Sequence, residues 1–186
     1  MTDTRGTALP EVRVIEPRVY RDDRGAFFEA WHEQRYAALG INESFVQDNI
    51  SRSRYGVLRG LHFQHPRGQG KLVQVLEGEV FDVAVDVRAN SPTFGQWAGV
   101  TLSSENGLQC WIPQGFAHGF CVTSDRAVFA YKCTAYYDPD SEHTLRWNDP
   151  DVGIDWPVDR PEMSPKDREG VLLRDLDPDQ LPAYSG

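Results

Sequence analysis

Apolar and polar residues alternate at a spacing of two over many short stretches of this chain, and turn-forming residues separate the stretches. In Phe81-Asp-Val-Ala-Val-Asp-Val87, the residues Phe81, Val83, Val85 and Val87 share one strand face, and Asp82, Ala84 and Asp86 share the other. Lys71, Val73 and Val75 alternate in the same way with Leu72, Gln74 and Leu76, and Glu77-Gly-Glu79 joins the two runs as a hairpin. The same reading predicts strands over 12–15, 26–31, 45–51, 57–64, 97–102, 109–112, 117–122 and 127–137. The turn Asp22-Asp-Arg-Gly25 leads into the second of these. Many short strands with Gly and Pro turns imply an all-β sandwich or barrel. One helix is predicted over 33–39, stopped by Gly40.

The pattern changes after Tyr137. Residues 138–186 are rich in Asp and Pro, and Pro150, Pro157, Pro161 and Pro165 forbid long helices. Trp147, Ile154, Trp156 and Leu172 are predicted to pin this tail onto the barrel. Ser164 reads as the N-cap of a short helix, with Pro165 at its first position. No repeat or low-complexity linker interrupts the chain, so 1–186 reads as one domain with a polar, frayed end over about 1–10. Asp82 and Asp86 leave two alternatives open. Either they face the interior, where they must be paired or wet, or they face solvent.

Composition narrows the function classes. The 186 residues are 40% hydrophobic and 25% charged, enough for a core and a soluble surface. A net charge of −9 argues against sequence-independent nucleic-acid binding, although a small phosphorylated ligand needs only a local cluster of basic groups. No apolar run suits a membrane span and no secretory signal is evident, so a cytoplasmic location is expected. Cys110, Cys121 and Cys133 form no CxxC pair, which argues against zinc, and they read as small buried residues in a reducing compartment.

Gly56, five residues, then His62 resembles the first motif of the cupin β-barrels. Gly107, five residues, Pro113-Gln-Gly115 and then His118 resembles the second. The usual metal ligands are replaced, because Gln64 holds the second histidine position and Lys71 the acidic one. An ammonium has no lone pair for a metal, so no metal and no cofactor are expected. A histidine beside a lysine suggests proton chemistry on an anionic or carbonyl substrate.

Over about 13–167 the chain resembles the dTDP-4-dehydrorhamnose 3,5-epimerases. The resemblance rests on Asp23-Arg-Gly-Ala-Phe-Phe-Glu29, Gln47-Asp-Asn49, Leu58-Arg-Gly-Leu-His-Phe-Gln64, Gly70-Lys-Leu72 and Ser91-Pro-Thr-Phe-Gly95. It continues through Trp111-Ile-Pro-Gln-Gly-Phe-Ala-His-Gly-Phe120, Tyr131-Lys132, Tyr136-Tyr137 and Ser164-Pro-Lys-Asp167, in that order and spacing. The loop 65–70 looks shorter than is usual for these proteins, which bears on substrate preference.

The resemblance implies a cupin-type antiparallel β-barrel (jelly roll) with an N-terminal strand extension, a few short helices and an irregular tail. It implies a homodimer acting on a dTDP-4-keto-6-deoxyhexose. It makes His62 the base, Asp167 its orienter, Lys71 the enolate stabiliser and Tyr131 the acid. Arg24, Arg59 and His118 are carried over to the diphosphate, and Phe27, Glu29, Gln47, Asn49 and Tyr136 to the nucleobase. Arg24 and Phe27 are expected to reach the neighbouring subunit's site. Three other readings stand beside this one. They are an epimerase acting at C3 or C5 alone, a non-catalytic sugar-nucleotide-binding cupin, and a metal-dependent cupin enzyme.

Overall fold

Thirteen strands form over residues 3–184, the part of the chain that this computed structural model describes. In chain order they are β1 (Asp3–Gly6), β2 (Arg13–Glu16), β3 (Val19–Asp22), β4 (Gly25–Phe28), β5 (Gln47–Arg54), β6 (Leu58–Gln64) and β7 (Lys71–Glu77). There follow β8 (Glu79–Asp86), β9 (Trp97–Ser103), β10 (Gln109–Ile112), β11 (Phe116–Val122), β12 (Arg126–Cys133) and β13 (Glu142–Thr144). Helix α1 spans Glu33–Ala37 and α2 spans Pro165–Arg168, and two 3-10 turns lie at Leu173–Asp175 and Pro178–Gln180.

The strands pair antiparallel into a six-stranded sheet, β1-β2-β10-β7-β12-β5, and a five-stranded sheet, β13-β6-β11-β8-β9. The β3-β4 hairpin stands apart as its own ladder. The inner faces of the two large sheets meet in one core. Val73 and Val75 of β7 and Phe129 of β12 pack with Val80 and Ala84 of β8 and Phe120 and Val122 of β11. The Phe120 and Phe129 rings stack with centroids 4.1 Å apart. Each fully buried side chain of this size stabilises the fold by roughly 1.5–3 kcal/mol. This is the expected cupin-type barrel.

Strand β8 is buried on both faces. Asp82 and Asp86 are 1% and 0% exposed, and each is paired. Asp82 Oδ2 lies 2.8 Å from His118 Nε2, and Asp86 accepts hydrogen bonds from Arg88, Ser91 and Thr93. Val83 and Val85, on the other face, are covered by the tail residues Val152, Leu173 and Leu176, with Ile154 and Trp156 beside them. Trp147 packs near Leu58, Cys121 and Met163. Leu173, rather than its predicted neighbour Leu172, is the buried anchor.

Several predicted boundaries are corrected. The end expected to fray over 1–10 is ordered from residue 3: β1 pairs with β2, and Leu9 is fully buried (residues 1 and 2 lie outside the described part). Backbone pairing, rather than apolar side chains, makes this edge strand. The strand predicted over 26–31 ends at Phe28, and the one over 127–137 ends at Cys133. Strands β3 and β13 carry no buried side chain, so no alternation announced them. Helix α1 closes two residues early. Gly40 does follow it in a left-handed conformation, φ +82°.

Candidate active site

Strand β5 alternates with polar residues on its inner side: Gln47, Asn49, Ser51 and Ser53 are half-buried, while Asp48, Ile50, Arg52 and Arg54 face out. A polar inner face cannot fill a core, and here it walls a cavity of about 360 Å³. Gln47, Asn49, Arg59, His62, Lys71, His118, Tyr131 and Asp167 all line it. Eight of the twelve residues singled out from sequence therefore meet in one place.

Two facing sheets supply the polar groups. His62 on β6 and His118 on β11 are direct cross-strand partners in the five-stranded sheet. Lys71 on β7 and Tyr131 on β12 come from the six-stranded sheet opposite. Asp167 arrives from the tail. Ser164 caps α2 by accepting the Asp167 amide at 3.1 Å, and this turn delivers the carboxylate to His62 Nε2 at 2.5 Å. That contact leaves Nδ1 as the ring nitrogen free to act in the cavity.

Burial and charge set the protonation of the lining groups. Burial opposes ionisation of Asp167, but the hydrogen bond and charge of His62 outweigh it and hold the carboxyl below its usual range. Burial lowers the Lys71 pKa, partly offset by Cys133, Glu142 and Asp82. The same desolvation lowers that of His118 against the pull of Asp82. For Tyr131, burial comes first among the causes that raise its pKa, so the phenol keeps its proton at neutral pH.

The remaining four sequence candidates lie elsewhere. Arg24, Phe27 and Glu29 belong to the β3-β4 hairpin and the segment after it, away from the cavity. The Arg24 side chain is 89% exposed and pairs with its own neighbour Asp22 at 2.5 Å, and Phe27 is 71% exposed. Tyr136 is exposed, and the next residue, Tyr137, lines the cavity instead. His118 sits deep beside Asp82 and away from Arg24, so within one chain these two do not converge on a single diphosphate. Gln64, in the lost metal-ligand position, spends its amide on the Arg67 and Tyr136 carbonyls.

Sequence reasoning missed Ser51, Gln69, Tyr137 and Glu142, which also line the cavity. Glu142 follows the predicted end of the last strand, where no pattern marked it. Gln69 belongs to the short 65–70 loop and is tied to the Ala135 carbonyl at 2.7 Å.

The family model for dTDP-4-dehydrorhamnose 3,5-epimerase matches residues 6–175. The chain belongs to this family. A dTDP-4-dehydrorhamnose 3,5-epimerase of Pseudomonas aeruginosa is 56% identical over 172 residues, covering 91% of this chain and 95% of that protein. A Neisseria gonorrhoeae 3,5-epimerase is 54% identical over 90% of this chain, which spans only 52% of that longer relative. Among solved structures, the Legionella pneumophila dTDP-6-deoxy-D-glucose-3,5-epimerase in complex with dTDP-4-keto-L-rhamnose is 54% identical, with a TM-score of 0.98 and full coverage of both chains. No helix among the described residues of this 3,5-epimerase family member is long and apolar enough to cross a membrane.

Proposed function

We propose that this cavity carries out the family's reaction, converting dTDP-4-dehydro-6-deoxy-D-glucose to dTDP-4-dehydro-L-rhamnose by inversion at C3 and C5. Both protons lie alpha to the C4 ketone, so each can be removed as an enolate forms. His62 Nδ1 takes the proton, and Asp167 holds Nε2 and stabilises the imidazolium. Lys71 donates to the C4 oxygen as negative charge grows there. Tyr131 returns a proton from the opposite ring face, which inverts the centre.

One observation carries this reading: the His62–Asp167 pair and Tyr131 stand on opposite walls of one cavity, as inversion demands. Arg59, also in the cavity wall, donates through Nε to Ser53 Oγ at 3.2 Å, and its terminal guanidinium nitrogens are assigned to the diphosphate. The exposed Arg24 and Phe27 hairpin is assigned to the site of a second copy in a homodimer, which accounts for their distance from this chain's own cavity.

Incubation with dTDP-4-keto-6-deoxyglucose in D2O, followed by NMR and mass spectrometry, tests the assignment. Deuterium and inverted configuration at both C3 and C5 are expected. Inversion at one carbon alone would make the protein a mono-epimerase. In the same assay His62→Ala should lose roughly 10²–10⁴-fold in turnover while still binding the sugar nucleotide. An active His62→Ala variant sinks the base assignment.

A further inference from the structure

An enzyme that inverts two centres with one base must unload that base between the two events. This follows from the reading of His62 as base and Tyr131 as acid. In the first inversion a C–H bond breaks, its proton goes to His62 Nδ1, and its electron pair moves onto the C4 oxygen. Tyr131 then gives its hydroxyl proton to the carbon, and the enolate returns to ketone. The sugar has lost one proton and gained another, His62 is an imidazolium and Tyr131 a phenolate. One proton must therefore pass from the His62 side to the Tyr131 side before the second inversion, and the sugar lies between them.

We propose that Glu142 carries that proton from His62 to solvent, from which the Tyr131 phenolate takes one back, so that both groups are reset. Asp167 occupies Nε2, so the surplus proton sits on Nδ1. The carboxylate facing Nδ1 is Glu142, with Oε1 3.9 Å away. That separation exceeds a hydrogen bond, and one intervening water or a small side-chain rotation bridges it. The opposite oxygen, Oε2, accepts from the Tyr137 hydroxyl at 2.8 Å and from the Lys166 ammonium. Glu142 itself is only 10% exposed at its side chain, whereas Lys166 is 51% exposed and Tyr137 53%. The carboxylate thus spans from the base to the wet rim of the cavity.

The groups facing Glu142 are His62 from β6, Tyr137 from the loop after β12 and Lys166 from α2, with Lys71 of β7 and Tyr131 of β12 at longer range. Burial opposes ionisation of Glu142, but hydrogen bonds from Lys166 and Tyr137 and the charge of His62 keep its pKa below the ordinary value. It is therefore ionised when the imidazolium forms, and it releases to water any proton that it accepts. The register of β13 with β6 sets the backbone position of Glu142, which pairs with Gln64 while Thr144 pairs with His62.

Glu142→Gln keeps the shape of the side chain and removes its capacity to take a proton. Single-turnover reactions with the sugar nucleotide, followed at each carbon by quenched NMR, test the proposal. The expected result is a first inversion close to the wild-type rate, a second slowed by about tenfold or more, and accumulation of half-converted sugar. Added imidazole, a small proton carrier, should restore the second step, and Glu142→Asp should fall between the two. Equal loss at both centres with no response to imidazole would make Glu142 a clamp between β13 and α2, and overturn the proposal. So would a wild-type ratio of the two rates. A wild-type protein that inverts neither centre would overturn the epimerase reading itself, and this inference with it.

Discussion

Lys71 is a buried ammonium without an ion-pair partner among the described residues. Its charge is held by nothing close, so burial draws its pKa below 10.5, with Cys133, Glu142 and Asp82 only partly offsetting the shift. Two consequences follow with definite signs. In the proposed mechanism the enolate needs the protonated form, so activity should fall on the alkaline side at a pH below 10.5, as a kcat/KM–pH profile will show. Folding is affected in the opposite sense. The unfolded chain binds this proton more tightly than the native one, so stability rises with pH between the lowered native value and the ordinary one. Lys71→Met should therefore cost about 10²–10³-fold in kcat while leaving the urea midpoint at neutral pH unchanged or raised. A variant that keeps its activity would remove Lys71 from the enolate. The position was legible because it occupies the acidic-ligand slot of a recognisable barrel motif. Glu142 was not, because the last acid of Asp138-Pro-Asp-Ser-Glu142 looks like any solvated loop residue.

The two histidine-bearing strands meet unusually closely. Any Cβ on Gly119 would lie 2.6 Å from the Arg59 carbonyl oxygen, and one on Gly60 would lie 2.6 Å from Gly119 Cα. Both obstacles are backbone and neither can swing aside. The β6–β11 register also shifts between His118 and Phe120, so the bulge lies beside the pair that aims His118 at His62. Gly119→Ala is expected to destabilise the fold by about 1–3 kcal/mol, read from urea unfolding. Its activity at temperatures where it stays folded should fall further than that loss explains, because both rings move. Full activity in the folded variant would show that the close approach serves stability alone. The strands themselves were readable from alternation. The bulge was not, since a spacing of two carries no mark for one extra residue, and neither were β3 and β13, which bury no side chain fully and leave no apolar alternation.

At the scale of the molecule, the hairpin β3-β4 presents Tyr20 and Phe27, 52% and 71% exposed, with Arg24 at its tip. Such a feature serves a second copy better than it serves an isolated chain. If each cavity borrows the partner's Arg24, mixing inactive His62→Ala chains with weakened Arg24→Ala chains should restore activity. Random pairing leaves about one quarter of the sites intact, which sets the expected recovery. No recovery on mixing would confine Arg24 to its own subunit. The sequence carried the barrel because cores impose a repeating pattern. It was silent on what the hairpin touches, because one chain's pattern holds no coordinates for another.

The tail that covers β8 also delivers Asp167, 105 residues after His62. At ribosomal rates of roughly 5–20 residues per second, His62 is synthesised about 5–20 s before its carboxylate partner. Throughout that interval the imidazole lacks the carboxylate that holds its Nε2 in the finished fold. On the proposed mechanism, the nascent chain therefore lacks the group that orients its base until most of the tail has been made.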